Sequence, residues 1–371
     1  MRHPHTTFTT AQTALLILLV SAGMAMAEWK NVTEQNNAAV PGDSIQFIEE
    51  GPKGVVWIGG LEGLTRYEKG TFTPVMYNKV TKRRNKTEEK IVDLKSKVWD
   101  ILHLEEDRWL VARAGAVSIV EGTTLKESPA TGFSFAPVVR GHNGAIWTLG
   151  KAERNRQQIT CIMERGVDGK WRKVEFFSEK TEDGKKRDAE ALFVDSEGTF
   201  WVTIPGNGII HADPAEKPGE WPHYLKGYNI TTFGEGPDGH VWCGLWERGV
   251  TRFDEGAWQR HLSEEDTVPL AICGSGKDTV WVATNDRGVF RKEGDKWHQY
   301  FEEEGAINLL KVTDDGRVWI SSAQTGGLRS WNGKEWETAL PGPLPIRDVV
   351  VTKDGTVIAG GVLDGLHMMK K

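Results

Sequence analysis

The chain has 371 residues and a formal net charge of −6, which excludes a general nucleic-acid binder because such proteins are basic as a whole. Its three cysteines, Cys161, Cys243 and Cys273, are too few and too scattered for a disulfide framework, so we expect small buried hydrophobic side chains. The unusual feature of the composition is its 16 tryptophans, which a fold prediction has to explain.

Residues 1–27 have the order of a secretory signal peptide. Arg2 gives a positive end, Thr13 to Val20 form a short apolar run, and Ala25 to Ala27 supply small residues before Glu28. The run is shorter than the roughly 20 residues that span a bilayer, and no later stretch is apolar enough to do so. We therefore predict cleavage after Ala27 and a periplasmic or secreted protein comprising residues 28–371, with an uncleaved membrane anchor as the alternative.

Most of the tryptophans belong to an internal repeat. A Trp that follows a Gly turn recurs at intervals of 52, 38, 54, 41, 39 and 38 residues, and after a further 39 residues an eighth copy has Ile358 instead. The Trp positions are Trp57, Trp109, Trp147, Trp201, Trp242, Trp281 and Trp319. A period near 40 residues with Gly and aromatic marks is typical of β-propeller blades.

Each copy has the pattern of four short strands. An apolar strand leads into a tight turn such as Asp238-Gly239, and the Trp strand follows. A third strand is opened by Gly, as at Gly249, and a second Gly turn precedes an aromatic fourth strand, as at Trp258. Gly and Asp-Gly supply the positive φ angles of two-residue hairpins. The sequence therefore predicts an all-β fold, a single eight-bladed β-propeller of four-stranded antiparallel blades, with seven blades as the alternative.

The two ends of the predicted propeller complete each other. The eighth copy ends after its third strand, Gly365 to Met369, and the segment from Glu28 to Val32 resembles the missing fourth strand. We expect these segments to pair antiparallel and close the ring, which would leave no exposed sheet edge. With Trp29 included, the repeat accounts for all tryptophans except Trp99, which we assign to core packing, and Trp246.

The repeat resembles that of the two-component-regulator propeller family. The best matches to its Gly-x-x-Trp and Gly-Leu-x-Arg-aromatic pattern are Gly54 to Tyr67 and Gly239 to Phe253, and the resemblance covers essentially all of residues 28–371. It implies a propeller fold and a role like that of the periplasmic sensing region of membrane histidine kinases, many of which respond to oligosaccharides. We expect no kinase, DNA-binding or transmembrane part after the propeller, and the family's ligand contacts follow no motif that transfers to this sequence.

The predicted site lies on one face of the ring. In a propeller, the loops from second to third strands and from each fourth strand to the next first strand emerge on the same side. These loops carry polar side chains and one exposed Trp, which suit a sugar or peptide ligand, although such residues also favour turns for conformational reasons. The predicted ligand-binding residues are Glu62, Asn207, Trp246, Arg248, Asn285, Arg287, Gln324 and Asp364.

Three longer insertions are predicted as loops on that face. Residues 78–97 hold eight Lys or Arg, residues 151–157 add Lys151, Arg154 and Arg156, and residues 178–188 again precede a first strand. An anionic glycan, surface or partner would be attracted to such a segment, with Arg83 and Arg84 as the predicted partner contacts; solvated loops are the alternative interpretation.

Catalysis has little support in the sequence. It contains no metal-ligand spacing, phosphate loop or Gly-x-Ser-x-Gly motif, so we expect no enzyme and no cofactor. The predicted function is the binding of a small molecule, a glycan or an extracytoplasmic protein by a monomer. A propeller lyase or hydrolase and an envelope assembly scaffold are the alternatives.

Overall fold

The computed structural model describes residues 28–83, 86–131, 138–141, 144–154, 157–166, 168–176, 178–180, 186–212, 221–262, 267–302, 305–322, 324 and 327–370. Within these ranges the regular structure is β-strand, apart from one 3₁₀ turn at Pro52–Gly54. No helix in the described ranges is long and apolar enough to span a membrane. The predicted signal peptide, residues 1–27, lies outside the described residues.

The strands of the first half form four blades, two added hairpins and one strand of the last blade. They are β1 (Trp29–Val32), β2 (Ile45–Glu50), β3 (Val56–Gly60), β4 (Gly63–Glu68), β5 (Thr71–Pro74), β6 (Met76–Arg83), β7 (Lys86–Asp93), β8 (Val98–Glu105), β9 (Arg108–Arg113), β10 (Ala116–Glu121), β11 (Thr124–Thr131), β12 (Val139–Arg140), β13 (Ile146–Arg154), β14 (Gln157–Arg165), β15 (Trp171–Phe176), β16 (Ser178–Lys180), β17 (Lys186–Asp188), β18 (Ala191–Val194), β19 (Phe200–Ile204), β20 (Gly208–Ala212) and β21 (His223–Tyr224). Blade 1 is β2–β5, blade 2 is β8–β11, blade 3 is β12–β15 and blade 4 is β18–β21.

The second half is more regular because it lacks insertions between blades. Its strands are β22 (Ile230–Glu235), β23 (Val241–Leu245), β24 (Gly249–Asp254), β25 (Ala257–Leu262), β26 (Pro269–Ser275), β27 (Thr279–Thr284), β28 (Val289–Glu293), β29 (Lys296–Tyr300), β30 (Ile307–Val312), β31 (Val318–Ser322), β32 (Gly327–Trp331), β33 (Trp336–Leu340), β34 (Ile346–Val351), β35 (Val357–Gly361) and β36 (Leu366–Met369). Blades 5, 6 and 7 take four consecutive strands each, beginning at β22, and blade 8 has the order β1-β36-β35-β34. The prediction of eight four-stranded antiparallel blades is confirmed.

Closure of the ring by the N-terminal strand is also confirmed. β1 pairs antiparallel with β36, with Trp29 opposite Met369 and Val32 opposite Leu366. The indole N–H of Trp29 donates to the carbonyl of Ala339 in blade 7 at 2.8 Å, so β1 is also attached to the neighbouring blade.

The seven repeat tryptophans are wedges between blades. Each is at most 4% exposed, and together with β-branched side chains they form a series of hydrophobic clusters around the ring. Trp201 of blade 4, for example, meets Phe253 and Trp258 of blade 5 at ring-centroid distances of 4.8 and 5.5 Å. Edge-to-face aromatic contacts of this kind add to the burial of apolar area, so the repeat Trp holds adjacent sheets together.

The glycine that opens a third strand is required by crowding as well as by φ. Gly288 has φ +69°, and a Cβ there would lie 2.2 Å from the carbonyl oxygen of Tyr300 at the end of the fourth strand. No other residue type fits this position without moving the backbone. The Gly that opens a third strand in the sequence therefore indicates that the backbone at this point lies close to the end of the fourth strand.

In the described ranges, the three predicted loop insertions contain strands instead. β6 and β7 form a hairpin over residues 76–93, and β6 extends the blade 2 sheet by parallel pairing with β11. β13 and β14 pair as far as Arg154 opposite Gln157, so the second insertion lengthens these two strands, and β16 pairs with β17. The first insertion adds to the sheet for two reasons. Without it the outer edge of β11 would leave backbone groups unpaired, and β6 contains side chains that favour strands, such as Tyr77.

The three cysteines lie in strands without forming disulfides. Cys161 and Cys243 are buried and Cys273 is half-buried, as expected for small hydrophobic side chains. Burial raises the pKa of the Cys161 thiol to about 11 and that of Cys273 to about 12, so both are held as thiols at neutral pH.

Candidate functional site

The antiparallel blades define two faces of the ring. The turns from second to third strands and the connections between blades lie on one, which we call the loop face. The turns from first to second and from third to fourth strands lie on the other, which we call the turn face. The candidate site is on the loop face. It lies at the turn between β23 and β24, beside the first residues of β22 and β26 and the residue that precedes β18.

Trp246 occupies a tight turn between β23 and β24 and is 53% exposed, in contrast to the buried wedge tryptophans. Its backbone N–H donates to the carbonyl of Asn229 at 3.0 Å, and the N–H of Arg248 donates to the carbonyl of Leu245 at 3.2 Å. Glu247 takes a positive φ of +55° at the turn's centre. These bonds hold the turn in place while leaving the indole in solvent.

Two clefts flank Trp246 and share Asn229 as a common wall. The inner cleft, of about 360 Å³, lies toward the first strands, which are nearest the propeller axis. The side chains that line it combine apolar groups with a carboxylate and hydroxyls: Glu190, Thr203, Ile204, Pro205, Asn229, Ile230, Thr231, Trp246, Val268 and Leu270.

The outer cleft, of about 410 Å³, is more polar. The Arg248 guanidinium lies 5.4 Å from the ring centroid of Tyr228, and Arg260 donates to the carbonyl of Arg248 at 3.1 Å. Glu247 is exposed at the rim. The indole face, two guanidiniums, an amide and a carboxylate therefore converge on one side of the ring.

A recurrent bulge shapes the start of the first strands at this face. In six blades one extra residue interrupts the pairing of first and second strands: Gln46, Trp99, Thr231, Leu270, Asn308 and Arg347. Such bulges redirect a side chain locally. Thr231 and Leu270 reach the inner cleft in this way.

Trp99 is a bulge residue rather than a simple core side chain. It is half-buried, packs against the cluster around Leu110, and has the Lys97 ammonium 3.5 Å from its ring centroid. Burial and the positive charge of Arg347 hold the pKa of Lys97 below its ordinary value. Arg347 in turn donates to the amide oxygen of Gln46 at 3.3 Å. Core packing explains part of Trp99, and its ring also contacts the Lys97 ammonium on the loop face.

Four other predicted site residues lie in loop-face turns of blades 1, 6 and 7, apart from the two clefts. The side chain of Glu62 is 3.7 Å from Lys95, and Arg287 is 3.9 Å from Glu302. Asn285 and Gln324 are exposed, and their backbone N–H groups bond to Val268 and Ser322 respectively. Of the predicted set, only Trp246 and Arg248 line the clefts.

Two predicted ligand residues are engaged internally. Asn207 is only 8% exposed, and its carbonyl contacts the imidazole of His223 at 2.5 Å. The carboxylate of Asp364 lies 2.7 Å from Nε2 of the buried His367, and its carbonyl accepts a hydrogen bond from Asn31 of the closing strand. Both residues therefore stabilise the ends of blades, a role that turn composition alone did not reveal.

The predicted partner contacts are only partly described. β6 ends at Arg83, in the hairpin beside blade 2, and Arg84 lies outside the described residues. The described part of the basic segment is thus an added hairpin at the outer edge of a blade rather than the predicted loop on the loop face.

Several cleft residues were missed by the sequence analysis. Tyr228 and Asn229 precede β22, Glu190 precedes β18, and Leu270 looked like an ordinary residue of an apolar strand. For Tyr228, Asn229 and Glu190, the only sequence feature that could have indicated a site was their position in a connection between blades. For Leu270 the bulge that exposes it is invisible in the sequence.

Buried carboxylates link first strands around the central channel. Asp100 of blade 2 accepts hydrogen bonds from the N–H groups of Ile101 and Val138, the latter at the start of blade 3. Asp348 of blade 8 accepts one from Ile48 of blade 1 at 2.6 Å. Burial raises the pKa of Asp100 to about 6 despite the two donors.

A similar environment surrounds Glu49. Its side chain is exposed, yet desolvation by the surrounding protein raises its pKa, although Lys311 lowers it. Lys311 forms an ion pair with Asp348 at 2.6 Å. Within the described ranges no group of three or more His, Cys, Asp or Glu has the arrangement of a metal site.

Comparisons with known proteins concern the fold. No protein-family model matches the sequence, and no curated protein matches it. Among solved structures, the computationally designed protein Ika8 is similar with 14% identity and a TM-score of 0.58, over 89% of this chain and 96% of that chain.

Two natural structures are also similar. One is the extracellular domain of BT3049 from B. thetaiotaomicron, assigned as a hybrid two component system, with 14% identity and a TM-score of 0.50; the match covers 89% of this chain and 56% of that chain. The other is selenomethionine-substituted virginiamycin B lyase from Staphylococcus aureus, with 12% identity and a TM-score of 0.50, covering 93% and 99%. The expected likeness to two-component sensing regions is thus confirmed for the fold, which a lyase shares.

Proposed function

We propose that this chain is an exported binding protein whose ligand occupies the two clefts beside Trp246. The observation that carries the proposal is the exposed indole itself, held by its backbone between an apolar-walled inner cleft and a guanidinium-lined outer cleft. An aromatic side chain that is not needed for packing but is fixed in position is typical of a binding anchor.

The distribution of exposed apolar side chains supports the choice of face. Five large hydrophobic residues are exposed among the described residues, and four of them, Leu61, Trp246, Leu270 and Leu363, lie on the loop face. The fifth, Ile91, is in the added hairpin. Exposed apolar surface gathered on one side favours that side as the place of interaction.

An oligosaccharide is the ligand class that best fits the clefts. Sugar rings present apolar C–H faces to an indole and hydroxyls to carboxylates, amides and guanidiniums. Glu190, Asn229, Arg248 and Arg260 supply these groups on both sides of Trp246. We propose binding without turnover, as in a sensing region, because His367, the loop-face histidine paired with a carboxylate, is buried.

The test compares two exposed loop-face residues. The ligand would first be found by screening the chain against a glycan panel by thermal shift, since binding stabilises the folded state. Trp246→Ala should then weaken binding of the best glycan by about 2 kcal/mol or more, with an unchanged melting temperature. The matched control is Leu363→Ala, which removes a side chain that is 78% exposed on blade 8 and should leave affinity unchanged.

Two outcomes would contradict the proposal. If Trp246→Ala lowers stability and leaves affinity intact, the indole is structural. If both variants weaken binding equally, the whole face rather than the Trp246 clefts makes the contact.

A protein partner is the second candidate. Leu61 and Leu363 are 43% and 78% exposed on the adjacent blades 1 and 8, and they lie apart from the clefts. An apolar pair of this kind on a broad face suits an assembly scaffold better than a glycan site. Pull-down with wild type and with Leu61→Ser/Leu363→Ser would distinguish this role, because only a protein contact should depend on the two leucines.

A further inference from the structure

A wedge is missing from blade 8. In blade 6 the indole of Trp281 packs against Trp331 and Trp336, which face each other on the third and fourth strands of blade 7, with centroid distances of 5.6 and 5.4 Å. The corresponding position of blade 8 is Ile358, and the next blade around the ring is blade 1. Blade 8 therefore presents a smaller side chain where the other seven insert an indole.

The receiving aromatic pair is nevertheless present in blade 1. Tyr67 and Phe72 are opposite each other on β4 and β5, with ring centroids 4.7 Å apart. They pack into the same cluster as Ile358 and Met368. The partner surface for an indole is thus complete, and the indole is absent.

An acceptor for the indole N–H is present as well. In blade 7 the N–H of Trp319 donates to the hydroxyl of Thr313, six residues earlier, at 3.0 Å. Thr352 stands six residues before Ile358, and it borders the space left open. Its hydroxyl donates to Asp354 at 2.6 Å, which leaves a lone pair for an N–H donor.

The open space is a cleft of about 730 Å³ on the turn face, which we call the wedge cleft. Val56, Tyr67, Phe72 and Met368 supply its apolar groups, and burial, followed by the negative charge of Asp354, raises the pKa of the Tyr67 phenol. In blades 1, 5 and 6 the position of Met368 holds an Arg over the indole, as at Arg252 opposite Trp242. Ile358 is fully buried in the cluster beneath, and Met368 lines the cleft above it, so the floor of the cleft is apolar.

Positive charge surrounds the wedge cleft. Five lysines line it, against three carboxylates from Glu28, Glu50 and Asp354; the lysines are Lys30, Lys53, Lys69, Lys353 and Lys370. All five lysines are exposed. Within the described part of the chain, Lys69 is the only one of the five that forms an ion pair. An anion at the rim would therefore meet several ammonium groups that are not neutralised by neighbours.

From these observations we infer a second binding site, on the face opposite the Trp246 clefts, for a small planar aromatic ligand that carries an anionic group. The ring takes the place of the missing indole against Tyr67 and Phe72, a ring N–H reaches the Thr352 hydroxyl, and the rim lysines hold the anion. This inference is independent of the proposed glycan site because it uses different blades and the other face.

Isothermal titration with indole-3-acetate tests the inference directly, since this probe has an indole ring, a ring N–H and a carboxylate. Indole and acetate, tested alone, separate the contributions of the ring and the charge. We expect one site per chain for indole-3-acetate, binding at least tenfold weaker for indole, none for acetate, and weakening with added salt. Absence of binding by wild type would overturn the inference.

Two variants locate the site. Ile358→Trp restores the repeat residue, should keep or raise the melting temperature, and should weaken indole-3-acetate binding at least tenfold by filling the cleft. Lys53→Glu/Lys353→Glu changes only exposed side chains, so it should fold normally and weaken the probe by at least tenfold, which keeps the test decisive if the Trp variant folds poorly.

Trp246→Ala is the matched control and should leave indole-3-acetate binding unchanged. Unchanged binding in both wedge-cleft variants, or loss of binding in Trp246→Ala, would overturn the inference.

Discussion

Ring closure by β1 gives the sharpest test of the architecture. A chain that begins at Gln35 instead of Glu28 loses the whole strand that pairs with β36. The edge of β36 would then be exposed, with its backbone N–H and C=O groups unpaired, and an edge of this kind invites aggregation.

The expected loss can be worked out from the contacts of β1. Burial of the Val32 side chain contributes about 2 kcal/mol, and the Trp29 indole bond to Ala339 about 1 kcal/mol. Four ladder positions add about 2 kcal/mol net. The sum of about 5 kcal/mol is a large part of the roughly 5–15 kcal/mol that stabilises a typical domain.

Thermal unfolding followed by circular dichroism, together with size-exclusion chromatography, provides the assay. The truncated chain should melt on the order of 10 °C lower and form aggregates. A peptide of residues 28–34 added in trans should restore part of the loss by strand addition. Removal of residues 370 and 371 is the control and should change little, since β36 ends at Met369. An unchanged melting curve for the truncated chain would refute the closure argument.

Three further predictions follow from buried and charged groups. The folded-state pKa of Asp100, about 6, lies above its unfolded value. Its contribution to the free energy of unfolding is therefore present below about pH 4 and is lost as the pH rises through about 6. Urea unfolding at a series of pH values should show a flatter pH dependence for Asp100→Asn than for wild type. Trp201→Ala should cost about 4 kcal/mol in urea unfolding, since it opens a cavity and removes the bond to Asp195. Reversing Arg83 and Arg84 to Glu should slow association with an anionic partner and flatten its salt dependence in stopped-flow measurements; an unchanged salt slope would contradict that role.

The fold could be predicted because its determinants are local and repeated. Three features recur in the sequence: a Trp at a regular interval, a Gly before each third strand and an Asp-Gly turn. Each is required by the strand or turn in which it lies, so it can be recognised from the residues next to it. Even the closing strand was recognisable, since Glu28 to Val32 has the composition of a fourth strand and Gly365 to Met369 lacks one.

The candidate site was predictable only in part. Trp246 stood out because no repeat position accounts for it, and it proved exposed on the loop face beside Arg248. Asn207 looked equally suitable, yet its turn folds inward against His223. Turn composition does not distinguish a polar residue that faces solvent from one that is buried while its backbone carbonyl bonds inside its own blade.

What the sequence by itself determined is the number of blades, the strand order and the identity of the odd residues, Trp246 and Ile358. Only the tertiary structure decided which distant residues meet. Asn229, Glu190 and Leu270 converge on Trp246. Tyr67 of blade 1 packs into the same cluster as Ile358 of the neighbouring blade 8. The physical reason is that strands and turns form from neighbouring residues, whereas clefts form between blades. Their shape depends on sheet twist, on bulges and on ring closure, which a periodic sequence does not encode at any single position.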